Sequence, residues 1–262
     1  MTAVIDDPLI AAMVIRRELP VHDSSRRLRQ LYPECPRVYG LAVMADVSKR
    51  RWWPLESALT SDRLDAMYRA AADEMDSAAA AAQQLAATLA HTVIGRAVAL
   101  FVLEGRAWDT GLENLWVHVD SEGAIDWLGI VDPTLRVLPD DRCAGDRGAL
   151  ELPGEAALAT WLAHRCHRSL APLFARLHAV SGGAVGQAAM WHTVGAAVVG
   201  AATQIPLLAG ASELVAMRRG QAVLDALVGF GLPVRGPFAA RPRAIRGNRE
   251  KGLAKLGQPC LC

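Results

Sequence analysis

Cys260 and Cys262 stand one residue apart at the end of the sequence. A Cys-x-Cys there points to thiolate chemistry, because the thiolate is both nucleophile and metal ligand. The pair closes a basic stretch that begins at Pro233. Within it Arg235, Arg241, Arg243, Arg246, Arg249, Lys251 and Lys255 are opposed only by Glu250. Recurrent Pro and Gly break any helix or central strand over the same residues. Cationic neighbours lower a thiol's pKa and stabilise the negative charge of a thiolate–metal cluster. The plainer reading is a chain end with two incidental cysteines.

Three more cysteines, Cys35, Cys143 and Cys166, make the count odd at five. Met1 to Asp7 is acidic and lacks the basic, then apolar, start of a secretory signal. The expected setting is therefore the cytosol, where thiols stay reduced and serve metals or redox chemistry more often than disulfides. His164 and His167 share a helix face, and His178, eleven residues beyond His167, returns to it. Arg165 and Arg168 would repel a cation there, and no carboxylate lies beside them. His91 and Arg96 interrupt an apolar helix, where a lone histidine reads as a satisfied core residue. The sequence carries no Gly-rich phosphate loop and no nucleophile elbow. A net charge of +1 gives no reason to expect a nucleic-acid partner.

These residues need a frame, and the frame reads as helical. Apolar residues make up 52% of the 262-residue chain, enough for a core, and alanine favours helix. Residues 8–19 read as a short helix with Pro8 in its first turn. The stretch 37–48 reads as a strand, and Trp52, Trp53 and Pro54 as a packing anchor. Thr60, Ser61 and Asp62 offer caps for a helix to Met75. Residues 77–104 read as one long helix ended by Gly105. The period then changes: LWVHVD and AIDWLGIV flank the turn SEG, TLRVLP makes a further strand, and Trp116 and Trp127 are expected to be cross-strand neighbours. Helices resume over 155–180, with Pro172 forcing a kink or break, and over 185–203 and 212–228. The fold class is mainly α (α+β): a helical bundle with a small inserted antiparallel sheet near 112–138. Residues 1–75 form an N-terminal helical region, 76–232 the helical core with its sheet, and 233–262 the basic tail. The apolar run Ala184–Ala211 is long enough to span a bilayer. Small residues and interruptions such as Gln187, His192 and Pro206 favour a buried core helix instead. Trp108, Trp161 and Trp191 read as core or groove wall.

The order of parts resembles the FhuF family of ferric-siderophore reductases over residues 80–262. The phrases that carry it are LAPLFARLHAVSGG, MWHTVGAAVVGA and LVAMRRGQAVLDAL, followed by a basic segment with terminal cysteines. The resemblance implies a cytoplasmic protein that holds a [2Fe-2S] cluster and reduces the iron of a ferric siderophore delivered by an importer. It implies transient association with a membrane importer, and an electron donor that it does not identify. The family's motif is a Cys-Cys pair, ten residues, then Cys-x-x-Cys; this chain has neither pair. Cys260 and Cys262 supply two thiolates, so Cys35, Cys143, Cys166 or a histidine such as His164, or a second chain, must complete a cluster. On the same resemblance Arg241, Arg243, Arg246 and Arg249 would attract an anionic chelate, and Trp191 would stack on its aryl groups. A relative without a cluster, binding a siderophore or other small molecule without turnover, is the alternative.

Overall fold

The computed structural model describes residues 7–235, so Cys260, Cys262 and the four tail arginines lie outside the described residues. Helix takes 58% of the chain and strand 11%, which makes the protein mainly α. The elements are α1 (Pro8–Ala11), α2 (Pro20–Gln30), β1 (Leu41–Val43), β2 (Trp52–Pro54), α3 (Arg63–Glu74), α4 (Ala78–Ala90) and α5 (Arg96–Glu104). They continue as β3 (Ala107–Trp108), β4 (Leu115–Val119), β5 (Ile125–Ile130), β6 (Leu135–Val137), β7 (Ala149–Glu151), α6 (Glu155–Val180), α7 (Gln187–Ala209) and α8 (Glu213–Gly229).

Helices α4 to α8 bury their apolar stripes against one another. Leu85, Leu89, Phe101, Leu162, Phe174, Val198 and Leu227 belong to a single cluster. Val21, Leu28, Leu31 and Leu41 join that same cluster, so the N-terminal region adds a layer to the core. The long helix runs continuously from Ala78 to Glu104, but its middle turn, His91–Gly95, is a π-helix. A π-turn closes its hydrogen bond five residues back, as the Arg96 N–H does to the His91 carbonyl. The widened turn brings positions five apart to one side. His91 and Arg96 therefore both donate to the Val38 carbonyl, at 2.8 and 3.0 Å. Gly95 makes room, since a Cβ there would lie 2.9 Å from the His91 ring.

Arg96 is 2% exposed and donates also to the carbonyls of Arg37, Gly40 and Asp126. Four carbonyls thus take its protons, and it ties the long helix to the turn before β1 and to β5. Burial lowers its pKa to about 10 despite the pull of Asp126, so it remains a cation at neutral pH.

The expected hairpin forms as antiparallel β4 and β5. The sheet around it is mixed, in the order β1-β5-β4-β2, with β1 parallel to β5. β6 joins a second small sheet, β3-β6-β7. The register pairs Trp116 with Gly129 and Trp127 with His118, so the two tryptophans are diagonal and not opposite one another. One face of the first sheet, with Leu115, Val117, Leu128 and Trp53, lies on the main core. The other carries Trp52, Trp127, Ala42 and Met44 and packs under Leu9, Ile10 and Met13. Gly129 allows this, because a Cβ would stand 2.4 Å from the Met44 sulfur.

Two helix expectations change. α1 stops at Ala11 because the chain turns to the loop before β2, where the Val14 N–H donates to the Asp46 carbonyl at 2.9 Å. α6 runs through Pro172 as one helix of 26 residues. The carbonyl that Pro172 leaves without a donor belongs to the exposed Arg168, while Leu170, Leu173, Phe174 and Leu177 hold the same stretch in the core. Among the described residues two helices are long and apolar enough to cross a membrane. In an apolar 18-residue window of each, 83% of residues are buried for Ala78–Glu104 and 39% for Gln187–Ala209. The fold is compatible with a soluble protein.

Two predictions follow from Arg96 and His91. Arg96→Leu removes four charge-assisted hydrogen bonds at once, although Val38 keeps His91, Gly40 keeps the Leu128 N–H and Arg37 keeps the Gly40 N–H, and it should cost about 2–4 kcal/mol in urea unfolding; a loss below 1 kcal/mol would remove the anchoring role. Burial, with Arg96 beside it, lowers the His91 pKa from 6.5 to about 4. The unfolded chain therefore binds a proton that the native one refuses between those values. His91 contributes stability in full above pH 6.5, and roughly 3 kcal/mol of it is lost as pH falls towards 4. The urea midpoint of His91→Gln should fall less steeply over this range than the wild type's.

Candidate functional site

The residues that point to chemistry lead to the face where the chain leaves α8. Ser212 caps that helix through the Val215 N–H, and Gly231, at φ +77°, reverses the chain beyond it. Val234 then packs with 3% exposure over α7, and its carbonyl would lie 1.8 Å from a Cβ at Gly195. Only glycine admits that crossing. Arg235 pairs with Asp225 alongside.

Beside this crossing α6 presents two of its histidines. The Phe230 ring lies 5.8 Å from His164 and stacks on His167 at 6.0 Å, with 26° between the planes. The opposite edge of His167 meets Trp191 at 5.7 Å, and Trp191 meets Phe174 edge-on at 5.2 Å. Burial, then His164 and Arg168, lower the His167 pKa, so its ring is neutral at pH 7. The shared face expected of His164 and His167 is present. His178 is committed elsewhere, its Nδ1–H donating to the Val185 carbonyl at 2.9 Å. Trp191, 5% exposed, is a core side chain and offers a chelate almost no ring face.

The described cysteines are scattered. Cys166 is fully buried in α6, with Sγ 3.2 Å from the Thr110 hydroxyl, and burial pushes its pKa up to about 12. Cys143 lies in the loop between β6 and β7. Burial raises its pKa although Arg106 pulls the other way. Cys35 is exposed, ahead of the turn at Pro36–Tyr39. Among the described residues no three His, Cys, Asp or Glu side chains gather as a metal site. Cys143 and Cys166, as protonated and buried thiols, do not fit as cluster ligands; Cys35 is the described cysteine whose sulfur is accessible.

Three clefts lie around the β4–β5 hairpin. One, of about 720 Å³, is lined by Arg51, Trp53, Arg63 and Met67. A second, of about 400 Å³, holds His118 and Asp126. A third, of about 520 Å³, reaches Cys35 and His91. Sequence reading passed over His118 and Asp126; their only signal was two polar residues on strands otherwise built for burial. Searches of protein-family models, curated proteins and solved structures return no match for this chain.

Iodoacetamide labelling at pH 8 with peptide mapping should modify Cys35 and leave Cys166 untouched until urea unfolds the chain. Labelling of Cys166 in the native protein would contradict its burial and its raised pKa.

Proposed function

We propose that this chain is a FhuF-like, cytoplasmic ferric-siderophore reductase whose redox centre is a [2Fe-2S] cluster bound through Cys260 and Cys262. What supports the reading is the order of parts. The long helix α4–α5, the β4–β5 hairpin, α6, the Trp-bearing α7 and α8 pack as one body in the sequence order that carries the resemblance. The observation that carries it furthest is the crossing of α7 at Gly195. The chain enters its basic, cysteine-bearing segment from the face where His164 and His167 lie. Arg241, Arg243, Arg246 and Arg249 draw in the anionic ferric chelate. The cluster supplies single electrons, and iron reduced to Fe(II) binds hard oxygen donors less tightly. Cys35 or a second chain contributes the remaining ligands. The electron donor and an importer at the membrane are the partners this reading requires.

The second reading is a chelate-binding relative without a cluster. The protonated, buried state of Cys143 and Cys166 favours it, since it removes two of the three thiols that would complete the ligand set. Anaerobic reconstitution with Fe(II) and sulfide separates the two. The reductase reading expects visible absorption, about two iron and two sulfide per cluster, and loss of both in Cys260→Ser and in Cys262→Ser, with the helical circular dichroism unchanged. Protein without iron or sulfide overturns it, and binding of a ferric chelate by that protein establishes the second reading.

A further inference from the structure

His118 is held as a histidine is held when its free nitrogen has work to do. Its Nδ1 lies 2.6 Å from Asp126 Oδ1. Because a carboxylate only accepts, Nδ1 carries a proton, and in the neutral ring Nε2 presents a lone pair. Asp126 is fixed in turn by Arg37 Nη1 on its other oxygen at 3.0 Å and by Arg96 on its backbone carbonyl at 3.1 Å. Arg37 Nε continues the chain to Asp7 at 2.8 Å. The Trp52 ring sits 5.3 Å from the imidazole and limits its rotation. The side chain of His118 is 16% exposed, and Nε2 has no hydrogen-bond partner among the described residues.

The cleft at that nitrogen has two characters. Part of its lining is apolar, from Pro8, Leu9, Ala12, Val47 and Trp52. Part is charged: Arg37, Arg50 and Arg51 balance Asp7, Asp120 and Asp126. Arg50 and Arg51 make no ion pair among the described residues, whereas Asp7 and Asp126 already share Arg37. Asp120 accepts the N–H groups of Glu122 and Ala124 in the hairpin turn. Lys49, the next cation along the chain, is drawn aside over Trp116 at 5.1 Å. The formal charge of the lining is thus zero with His118 neutral and +1 with His118 protonated. The volume of about 400 Å³ far exceeds one water's share of about 30 Å³, so it suits an organic molecule and not a bare ion.

We propose that this cleft binds a small monocarboxylate with an apolar body, and that binding draws a proton onto His118 Nε2. The carboxylate lies between Nε2–H and the free guanidiniums of Arg50 and Arg51, and the body lies against Leu9, Val47 and Trp52. The proton comes from solvent, and no covalent bond changes. Asp126 is a positioning residue: it holds the ring and balances the imidazolium. The site stands whether or not the tail carries a cluster.

Benzoate, with benzamide as its neutral isostere, is the probe. Calorimetry in buffers of different ionisation enthalpy should show proton uptake on benzoate binding at pH 7. Benzoate should bind about tenfold tighter at pH 6 than at pH 8, since protonated His118 is the binding form. Benzamide should bind at least tenfold more weakly at pH 6. His118→Gln should abolish the pH dependence, and Asp126→Asn should reduce both it and the proton uptake. NMR of the wild-type chain needs no variant: 10 mM benzoate should shift the His118 ring signals and raise their titration midpoint. Unshifted ring signals, equal affinity at the two pH values, or benzamide binding as well as benzoate each overturn the proposal.

Discussion

One buried guanidinium ties together the parts of this protein that local sequence does not join. Arg96 leaves the middle of the longest helix and gives its protons to four carbonyls, two of them either side of Val38, one on Val38 itself and one on β5. Bringing a cation into a core is costly unless each proton finds an acceptor. Carbonyls of β5 and of the turn between α2 and β1 meet that need. The mixed sheet, the hairpin and the start of the core helix then have one relative position. Asp126 is part of the same arrangement, because its carbonyl takes Arg96 while its carboxylate takes His118 and Arg37.

Much of the bundle was legible because periodic apolar residues over twenty or more positions leave few alternatives to helix. Residues 77–104, 155–180 and 212–228 read within a residue or two of α4–α5, α6 and α8. The hairpin read correctly as well, since its alternation and turn are local. What failed was non-local. The pairing of β1 with β5 spans more than eighty residues, and nothing in Leu41–Val43 announces its partner. Trp116 and Trp127 are cross-strand neighbours on the diagonal, two positions out of direct opposition, in a ladder whose register shifts at a bulge at His118/Val119. Pro172 misled because its effect depends on whether its turn faces core or water.

The site residues were legible by type and not by place. Cys166 and Trp191 looked available for chemistry in the sequence, and three-dimensional packing buries both. His118 and Asp126 looked like ordinary strand residues. Only the antiparallel register, which puts His118 opposite Trp127 and one position from Asp126, turns them into a pair. His91 and Arg96 were seen as isolated polar residues because an α-helix puts positions five apart on different faces.

The π-turn at His91–Gly95 amounts to one residue more than an α-helix would hold. Its presence makes chain length, as distinct from residue identity, a property of the fold. Removing a single residue between His91 and Gly95 would let the helix close into a regular α-helix, with better hydrogen bonding along its own backbone. It would also turn everything before the cut by about 100° relative to everything after. The apolar stripe of α4 would then leave its neighbours while that of α5 kept them, and His91 would part from Val38. In this stretch a deletion is a rotation, and the helix with the more regular geometry would belong to the less stable protein.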